Sequence, residues 1–181
     1  MAEQSGHTTV EVGVLTVSDR VSRGEAEDLS GPLAISIIEQ HLKHAKVVAT
    51  AVVADEVDDI QRVLKEWSDG RKLQLILTTG GTGFAPRDIT PEATKAILDR
   101  EAPGMVVAMV SASLQVTPHA MLSRPAAGMR KQTLIVNLPG SSKAVKENID
   151  VLLPVLPHAI GLLRQDPRAA QPSQHHKLDM K

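Results

Sequence analysis

The chain has 181 residues, 42% of them hydrophobic, and its 20 basic residues nearly balance its 21 acidic residues. This size indicates one globular domain, and the net charge of -1 gives no basic surface for nucleic acid. The lack of Cys excludes disulfides and thiolate chemistry, and Trp67 and Phe84 are too few aromatic side chains for stacking bases. No run of about 18 apolar residues predicts a membrane span. We therefore expect a cytoplasmic protein that acts on a small molecule or on another protein.

Predicted strands and helices alternate along the chain. Runs rich in β-branched and apolar residues predict strands at 10–17, 46–53, 73–78 and 133–138. Apolar residues at helical spacing predict helices that begin near Ser30, Glu56, Thr90, Met105 and Ser142, with Pro154 and Pro157 bending or restarting the last one. Segment 116–128 stays unassigned. We expect a flexible leader at 1–9, the domain at 10–164 and a disordered tail at 165–181.

Two helix starts carry predicted capping residues and a nearby proline. Ser30 comes before Gly31 and Pro32, and Thr90 comes directly before Pro91, so each hydroxyl is the predicted N-cap of its helix. The regular alternation of strand and helix predicts an α/β layered fold on a mostly parallel sheet. In such folds ligands bind outside the carboxyl ends of the strands.

Four polar or glycine-rich features follow predicted strands and should therefore meet at one edge of the sheet. They are Ser18 with Asp19, Asp55, the loop at 80–88, and the turn at 139–141. The segment Thr79-Gly80-Gly81-Thr82-Gly83 could cradle an anion with its backbone N–H groups, or it could be only a tight turn. It matches neither the Walker A nor the Rossmann pattern.

Asp55 and Asp88 are the candidate ligands for a metal ion. Mg²⁺ commonly takes one or two carboxylates and completes its shell with water and substrate phosphates. Two other roles remain open: Asp55 could cap the helix that follows it, and Asp88 could pair with Arg87. The seven His residues show no spacing that predicts a zinc site.

Two further segments carry polar groups that could reach a ligand. The turn before the last long helix could present free N–H groups to an anion, although Ser141 or Ser142 could simply cap that helix. Arg124, beside Ser123, could clamp a phosphate or form a surface ion pair.

Five blocks of the sequence together resemble the molybdopterin adenylyltransferase family, in its gephyrin G domain and plant G domain types. They are VLTVSD at 14–19, TTGGTGFAPRD at 78–88, TPEAT at 90–94, MLSR at 121–124 and NLPGS at 137–141. The blocks follow the order of the family, and the resemblance spans residues 10–164. The long block at 78–94 is far more specific than a pair of glycines.

The resemblance implies a three-layer α/β sandwich on a mostly parallel sheet, the molybdopterin-binding fold, assembled as a homotrimer. It also implies Mg²⁺-dependent transfer of AMP from ATP to the terminal phosphate of molybdopterin, with release of pyrophosphate. A molybdate-inserting E-type domain or protein is the implied recipient of the adenylylated pterin.

Carried over to this sequence, the resemblance assigns Asp55 and Asp88 to catalysis and to the metal. Together with the loops described above, it predicts that pterin and nucleotide are bound by Ser18, Asp19, Thr79, Gly80, Gly81, Thr82, Gly83, Ser123, Arg124, Pro139, Gly140 and Ser141. A non-catalytic molybdopterin-binding or oligomeric scaffold domain of the gephyrin type is the alternative function. The intact Asp55 and Asp88 favour the enzyme.

Overall fold

The computed structural model describes residues 9–167 and residue 169. Its strands are β1 (Val10–Val17), β2 (Ala45–Val53), β3 (Leu75–Thr79), β4 (Arg100–Glu101), β5 (Ala127–Arg130) and β6 (Thr133–Leu138). Its helices are α1 (Asp19–Ser22), α2 (Ser30–His41), α3 (Val57–Lys65), α4 (Thr90–Lys95), α5 (Pro103–Leu114), α6 (Ser142–Leu152) and α7 (Leu156–Leu163). A π-helical turn, Glu66–Gly70, extends α3, and a 3-10 helix, Pro118–Leu122, follows α5. Most of the predicted leader and tail lies outside the described residues.

The six strands form one sheet in the order β2-β1-β3-β6-β5-β4. Strands β2, β1, β3 and β6 are parallel, whereas β5 pairs antiparallel with β6, and β4 pairs antiparallel with β5. From β1 the chain goes to β2 on one side and then to β3 on the other side. The carboxyl ends of β1 and β3 therefore flank a switch in strand order, where open α/β sheets bind ligands.

Both faces of the sheet are covered, which produces three layers. One face packs against α2, α5, α6 and α7 around buried residues such as Val14, Leu77 and Val136. The other face packs against α3, the π-helical turn and α4 around residues such as Leu15, Ile76 and Trp67. Strands that are buried on both sides carry continuous apolar runs. These runs alone predicted β1, β3 and β6. The predicted fold class is confirmed.

The predicted helix caps at Ser30 and Thr90 are wrong. The Ser30 hydroxyl instead donates to Gly140 O at 2.7 Å, and Asp28 Oδ1 accepts the Gly31 N–H at the start of α2. The N-cap of α4 is Ile89, which makes no capping hydrogen bond through its side chain, and Thr90 is the first helical residue. Ser141 does cap α6, because its hydroxyl accepts the Ala144 N–H at 3.3 Å.

A buried amide ties together the elements on which the strand-end loops rest. Asn137 on β6 is fully buried and donates through Nδ2 to Thr78 Oγ1 at 2.9 Å and to Thr94 Oγ1 at 3.0 Å. Its Oδ1 accepts the Ala126 N–H at 3.1 Å. This one side chain thus joins β6 to β3, to α4 and to the segment that leads into β5.

Within the part of the chain that the structure describes, no helix is both long and apolar enough to cross a membrane.

Candidate functional site

A cavity of about 410 Å³ lies at the carboxyl ends of β1, β3 and β6. The parallel sheet brings together most of the predicted site residues there: Ser18, Asp55, Thr79, Gly80, Gly81, Asp88, Gly140 and Ser141 all line the cavity. The opposite wall consists of Glu27, Asp28, Leu29 and Ser30, from the loop between α1 and α2 and from the start of α2. We call this space the main cavity.

Gly80 and Gly81 follow β3 directly and line the main cavity. Their φ angles are positive, 98° and 62°, a backbone conformation that glycine adopts readily. The Gly80 N–H donates to Leu138 O at 3.3 Å, and the Thr79 hydroxyl donates to Pro139 O at 2.7 Å. These contacts join the end of β3 to the end of β6. A Cβ on Gly80 would collide with Val17 O, so the turn also packs closely on β1.

Asp55 is held by the first residue of α1 and does not cap α3, the helix that follows it. Its Oδ2 accepts the Asp19 N–H at 2.8 Å, and its own N–H donates to Asp19 Oδ1 at 3.1 Å. Its Oδ1 is buried and has no hydrogen-bond partner. Burial raises the pKa of the Asp55 carboxyl, and the nearby charges of Asp19 and Asp88 act in the same direction.

Asp19 itself is turned toward a surface arginine. Arg87 donates to both carboxylate oxygens of Asp19 at 3.0 Å and also reaches Glu56 Oε1 at 2.7 Å. The hydrogen bonds from Arg87 hold the pKa of Asp19 below its usual range. Arg87 therefore pairs with Asp19 and Glu56, and not with its neighbour Asp88.

Asp88 closes the loop that follows Gly83. Its Oδ2 accepts the Ala85 N–H at 2.9 Å, and its own N–H donates to Ala85 O at 2.8 Å. A Cβ on Gly83 would lie 2.8 Å from Asp88 Oδ2, so a side chain at that position would crowd the carboxylate. The carboxylate lines the main cavity with Asp55.

Arg124 holds the same loop from the outside. Its guanidinium donates to Gly83 O at 2.8 Å and to Asp88 O at 2.7 Å, and it forms an ion pair with Glu92. Its backbone N–H donates to Thr82 O at 2.8 Å. The structure thus places Arg124 as a clamp on the backbone that carries Asp88.

Two helix N-termini meet at the edge of the main cavity. The Ser30 hydroxyl at the start of α2 donates to Gly140 O and lies 3.5 Å from the Ser142 hydroxyl at the start of α6. Both helices exceed ten residues, and their dipoles favour an anion, although the Gly31 N–H of α2 already donates to Asp28 Oδ1 and the Ala144 N–H of α6 to Ser141 Oγ. This end of the cavity can hold a negatively charged ligand.

A second, more open cavity of about 340 Å³ lies on the other side of the glycine turn. It is lined by four further predicted residues, Thr82, Gly83, Ser123 and Pro139, together with His119 and Leu122, and it shares Gly81, Asp88 and Gly140 with the main cavity. The other two predicted residues, Asp19 and Arg124, line neither cavity. The Ser123 hydroxyl is buried and has no hydrogen-bond partner. The site thus has two halves that meet at the glycine turn.

Two parts of the site were not predicted from the sequence: the wall of the main cavity that contains Asp28, and His119 in the second cavity. Asp28 Oδ2 accepts the Thr16 hydroxyl at 2.7 Å while its Oδ1 accepts the Gly31 N–H, so Asp28 fastens the wall to β1. The signal was present, because Asp three residues before a helical glycine is a typical capping arrangement. His119 lies in the 3-10 helix of the segment left unassigned, and no local pattern singled it out.

Among the described residues, no three His, Cys, Asp or Glu side chains are grouped so that they could together bind a metal ion.

Comparison with known proteins gives the family of the chain. Residues 13–158 match the family described as "Probable molybdopterin binding domain". The chain is 51% identical to gephyrin from Dictyostelium discoideum over 93% of its length, but it spans only 24% of that protein. It is 41% identical to molybdopterin adenylyltransferase from Helicobacter pylori J99, covering 86% of this chain and 88% of the relative.

Among solved structures, the molybdopterin biosynthesis enzyme MoaB from Thermus thermophilus superposes with a TM-score of 0.82 and 47% identity, covering 87% of this chain and 98% of that one. The family match includes the carboxyl end of β1, the loop at 80–88 and the turn before α6, which contribute residues to the main cavity. The chain belongs to the molybdopterin-binding domain family.

Proposed function

We propose that this protein is a molybdopterin adenylyltransferase that transfers AMP from ATP to the terminal phosphate of molybdopterin and releases pyrophosphate. The observation that carries the proposal is the meeting of Asp55 and Asp88 with the glycine turn and two helix N-termini in one cavity. Relatives of nearly the same length, which carry the name molybdopterin adenylyltransferase, support it.

The donor set of the main cavity fits Mg²⁺. Its candidate ligands are carboxylates, hydroxyls and backbone groups, and hard cations prefer oxygen ligands of this kind. Mg²⁺ usually takes only one or two carboxylates and leaves the rest of its shell to water and phosphates. Asp88 and Asp55 are the residues that would hold the ion. When bound, Mg²⁺ would neutralise phosphate charge and orient the phosphates.

The residues of the chain then act mainly by positioning. Phosphoryl-group transfer needs alignment and charge stabilisation and little covalent chemistry from the protein. The backbone of Gly80 and Gly81 allows close approach of a phosphate, and the N-termini of α2 and α6 favour its negative charge. The Arg124 clamp holds the Asp88 backbone in place during the reaction.

The two halves of the site suit two ligands that react at their junction. Gly81, Asp88 and Gly140 line both cavities, so ligands in the two halves would meet next to the Asp88 carboxylate. In this proposal pterin and nucleotide occupy one half each, with the reacting phosphates at the glycine turn.

The direct test is to incubate the protein with molybdopterin, ATP and Mg²⁺ and to measure adenylylated pterin and pyrophosphate. We expect both products in equal amounts, and no product when EDTA removes the metal. Tight pterin binding without any product under metal-replete conditions would refute the enzyme and support a non-catalytic pterin-binding or scaffold domain.

We also propose a homotrimer and an E-type, molybdate-inserting partner for the product. The trimer finds support in α5, an apolar helix in which only Met109 is buried while Val107 is 63% exposed. The chain matches only about one quarter of gephyrin, so that relative has a large additional part. In such a relative, the additional part is where we propose that an E-type function lies.

A further inference from the structure

Thr90 is a buried residue whose hydroxyl has no role in its own helix. The residue is 0% exposed, and its Oγ1 has no hydrogen-bond partner. Its backbone N–H donates to Gly81 O at 3.0 Å, so Thr90 is held against the glycine turn without using the hydroxyl. An unpaired buried donor is costly, and each such group in a folded protein requires an explanation.

A second unpaired oxygen lies close to the same glycine as this hydroxyl. The Cβ position of Gly81 has Asp55 Oδ1 at 2.8 Å and Thr90 Oγ1 still closer, and both oxygens are buried without a partner. Thr90 can donate a hydrogen bond, and an ionised carboxylate only accepts one. The two groups are thus complementary and are brought together at the same glycine.

We infer that Thr90 is a positioning residue for Asp55: its hydroxyl donates to Asp55 Oδ1 when ligand fills the main cavity. Asp55 Oδ2 is already fixed by the Asp19 N–H, so a bond at Oδ1 would fix the orientation of the whole carboxylate. The Cβ position of Gly81 lies within 2.8 Å of both oxygens, and Gly81 lines both cavities. A ligand that displaces the glycine turn would therefore also change the distance between the two oxygens. The inference rests on the proposed function for its catalytic consequence.

The test compares two buried threonines, each changed to valine. Thr90→Val removes a hydroxyl that has no partner, whereas Thr133→Val removes one that donates to Leu73 O at 2.6 Å, far along the strand from the site. We expect Thr90→Val to keep or raise the melting temperature and to lower kcat about tenfold or more, with a smaller change in KM. Thr133→Val should show the reverse, a lower melting temperature and a nearly normal kcat.

Two additional variants separate positioning from packing. Thr90→Ser keeps the hydroxyl, so we expect it to retain most of the turnover that Thr90→Val loses. In an Asp55→Ala background, Thr90→Val should lower kcat by much less than in the wild type, because the acceptor oxygen that it positions is gone. Equal losses for Thr90→Ser and Thr90→Val, or full additivity with Asp55→Ala, would overturn the inference.

A binding measurement keeps this test independent of the reaction. Mg²⁺ with ATP should raise the melting temperature of the wild type more than that of Thr90→Val. If the wild type shows no adenylyl transfer, the proposed function fails, and this shift alone decides the role of Thr90. Equal shifts in the two proteins, or no shift in the wild type, would overturn the inference about Thr90.

Discussion

Gly81 illustrates how tightly single residues are packed at the site. Its φ of 62° is unfavourable for any side chain, and a Cβ would collide with Thr90 Oγ1 and lie 2.8 Å from Asp55 Oδ1. Gly24 provides a contrast, because its φ is 72° but a Cβ there would meet nothing within 4 Å. Alanine variants at the two positions can therefore separate the cost of backbone strain from the cost of steric collision.

We expect Gly81→Ala to be much more harmful than Gly24→Ala. The positive φ alone should cost each variant about 1 kcal/mol of unfolding free energy. The collision should add at least about 1 kcal/mol at Gly81 and displace Asp55, so that variant should also lose nucleotide binding. Urea denaturation and nucleotide titration check this, and equal destabilisation of the two variants would contradict it.

The acidic pair gives the second prediction for single residues. Asp88→Asn keeps the shape but removes a charge that Mg²⁺ needs, so kcat should fall about a hundredfold or more. Molybdopterin affinity should hardly change, because loss of a carboxylate cannot weaken the attraction of an anion. Asp55→Asn should act in the same direction. Turnover and pterin binding measured for both variants check this, and near-normal turnover in Asp88→Asn would remove its role as a metal ligand.

Between elements, polar side chains that are buried or half-buried fix how the elements align. Asn137 connects β6 with β3 and α4, and Arg130 on β5 connects the antiparallel edge of the sheet with the π-helical turn. Apolar packing is not directional, so these hydrogen bonds determine how the elements align.

Asn137→Leu should strongly destabilise the protein. The change leaves the Ala126 N–H and the hydroxyls of Thr78 and Thr94 without this partner inside the core. We expect a loss of about 2–5 kcal/mol in unfolding free energy, measured by urea denaturation. A loss below about 1 kcal/mol would show that the amide is replaceable by packing.

The ion pair at the sheet edge predicts a pH dependence. Arg130 donates to Asp69 at 3.0 and 2.5 Å, and these bonds, helped by Lys131, hold the pKa of Asp69 below its usual 3.8. A lowered carboxyl pKa stabilises the fold above the unfolded value of 3.8, and that stabilisation disappears as pH falls through the folded pKa.

Asp69→Asn should therefore cost about 1 kcal/mol at neutral pH, the same amount at pH 5 and less at about pH 3. Asp59→Asn is the matched control, because its pair with Arg62 is largely exposed and should contribute almost nothing. Urea denaturation of the three proteins at each pH checks the difference. A loss of unfolding free energy in Asp69→Asn that grows as the pH falls would contradict this prediction.

For the whole molecule, the apolar surface of α5 predicts assembly. Val107 is 63% exposed and Leu114 is 38% exposed on a helix with a single buried residue. Exposed apolar patches of this kind mark contacts between proteins. A closed ring of three copies would bury the same surface of every copy.

We expect light scattering to give a mass three times the 19.4 kDa of one chain. Val107→Glu should shift the mass toward the monomer without changing the far-ultraviolet circular dichroism, because the side chain is exposed within one chain. A wild-type mass near 19.4 kDa at micromolar concentration would contradict the trimer.

Local pattern was enough to predict the elements that are long and buried. Strands β1, β2, β3 and β6 and the longer helices were found because apolar runs, apolar periodicity and turn residues act within a few positions of the chain, whereas α1 and the 3-10 helix were not predicted. The parallel arrangement of these four strands then placed Asp55, Asp88 and the glycine turn at one edge of the sheet, as predicted. The specific block at 78–94 added the family, which the comparisons confirm.

Tertiary structure decided the features that depend on neighbours distant in sequence. Strand β4 has two residues and β5 has four, too few for a periodic signal, and they belong to the sheet only because β5 pairs with β6 and β4 pairs with β5. The hydroxyls of Ser30 and Thr90 looked like helix caps, yet the Ser30 hydroxyl bonds to Gly140 O and the Thr90 hydroxyl is buried without a partner. Whether a polar side chain finds a partner within about 3 Å depends on what the fold places next to it, and sequence alone does not specify that.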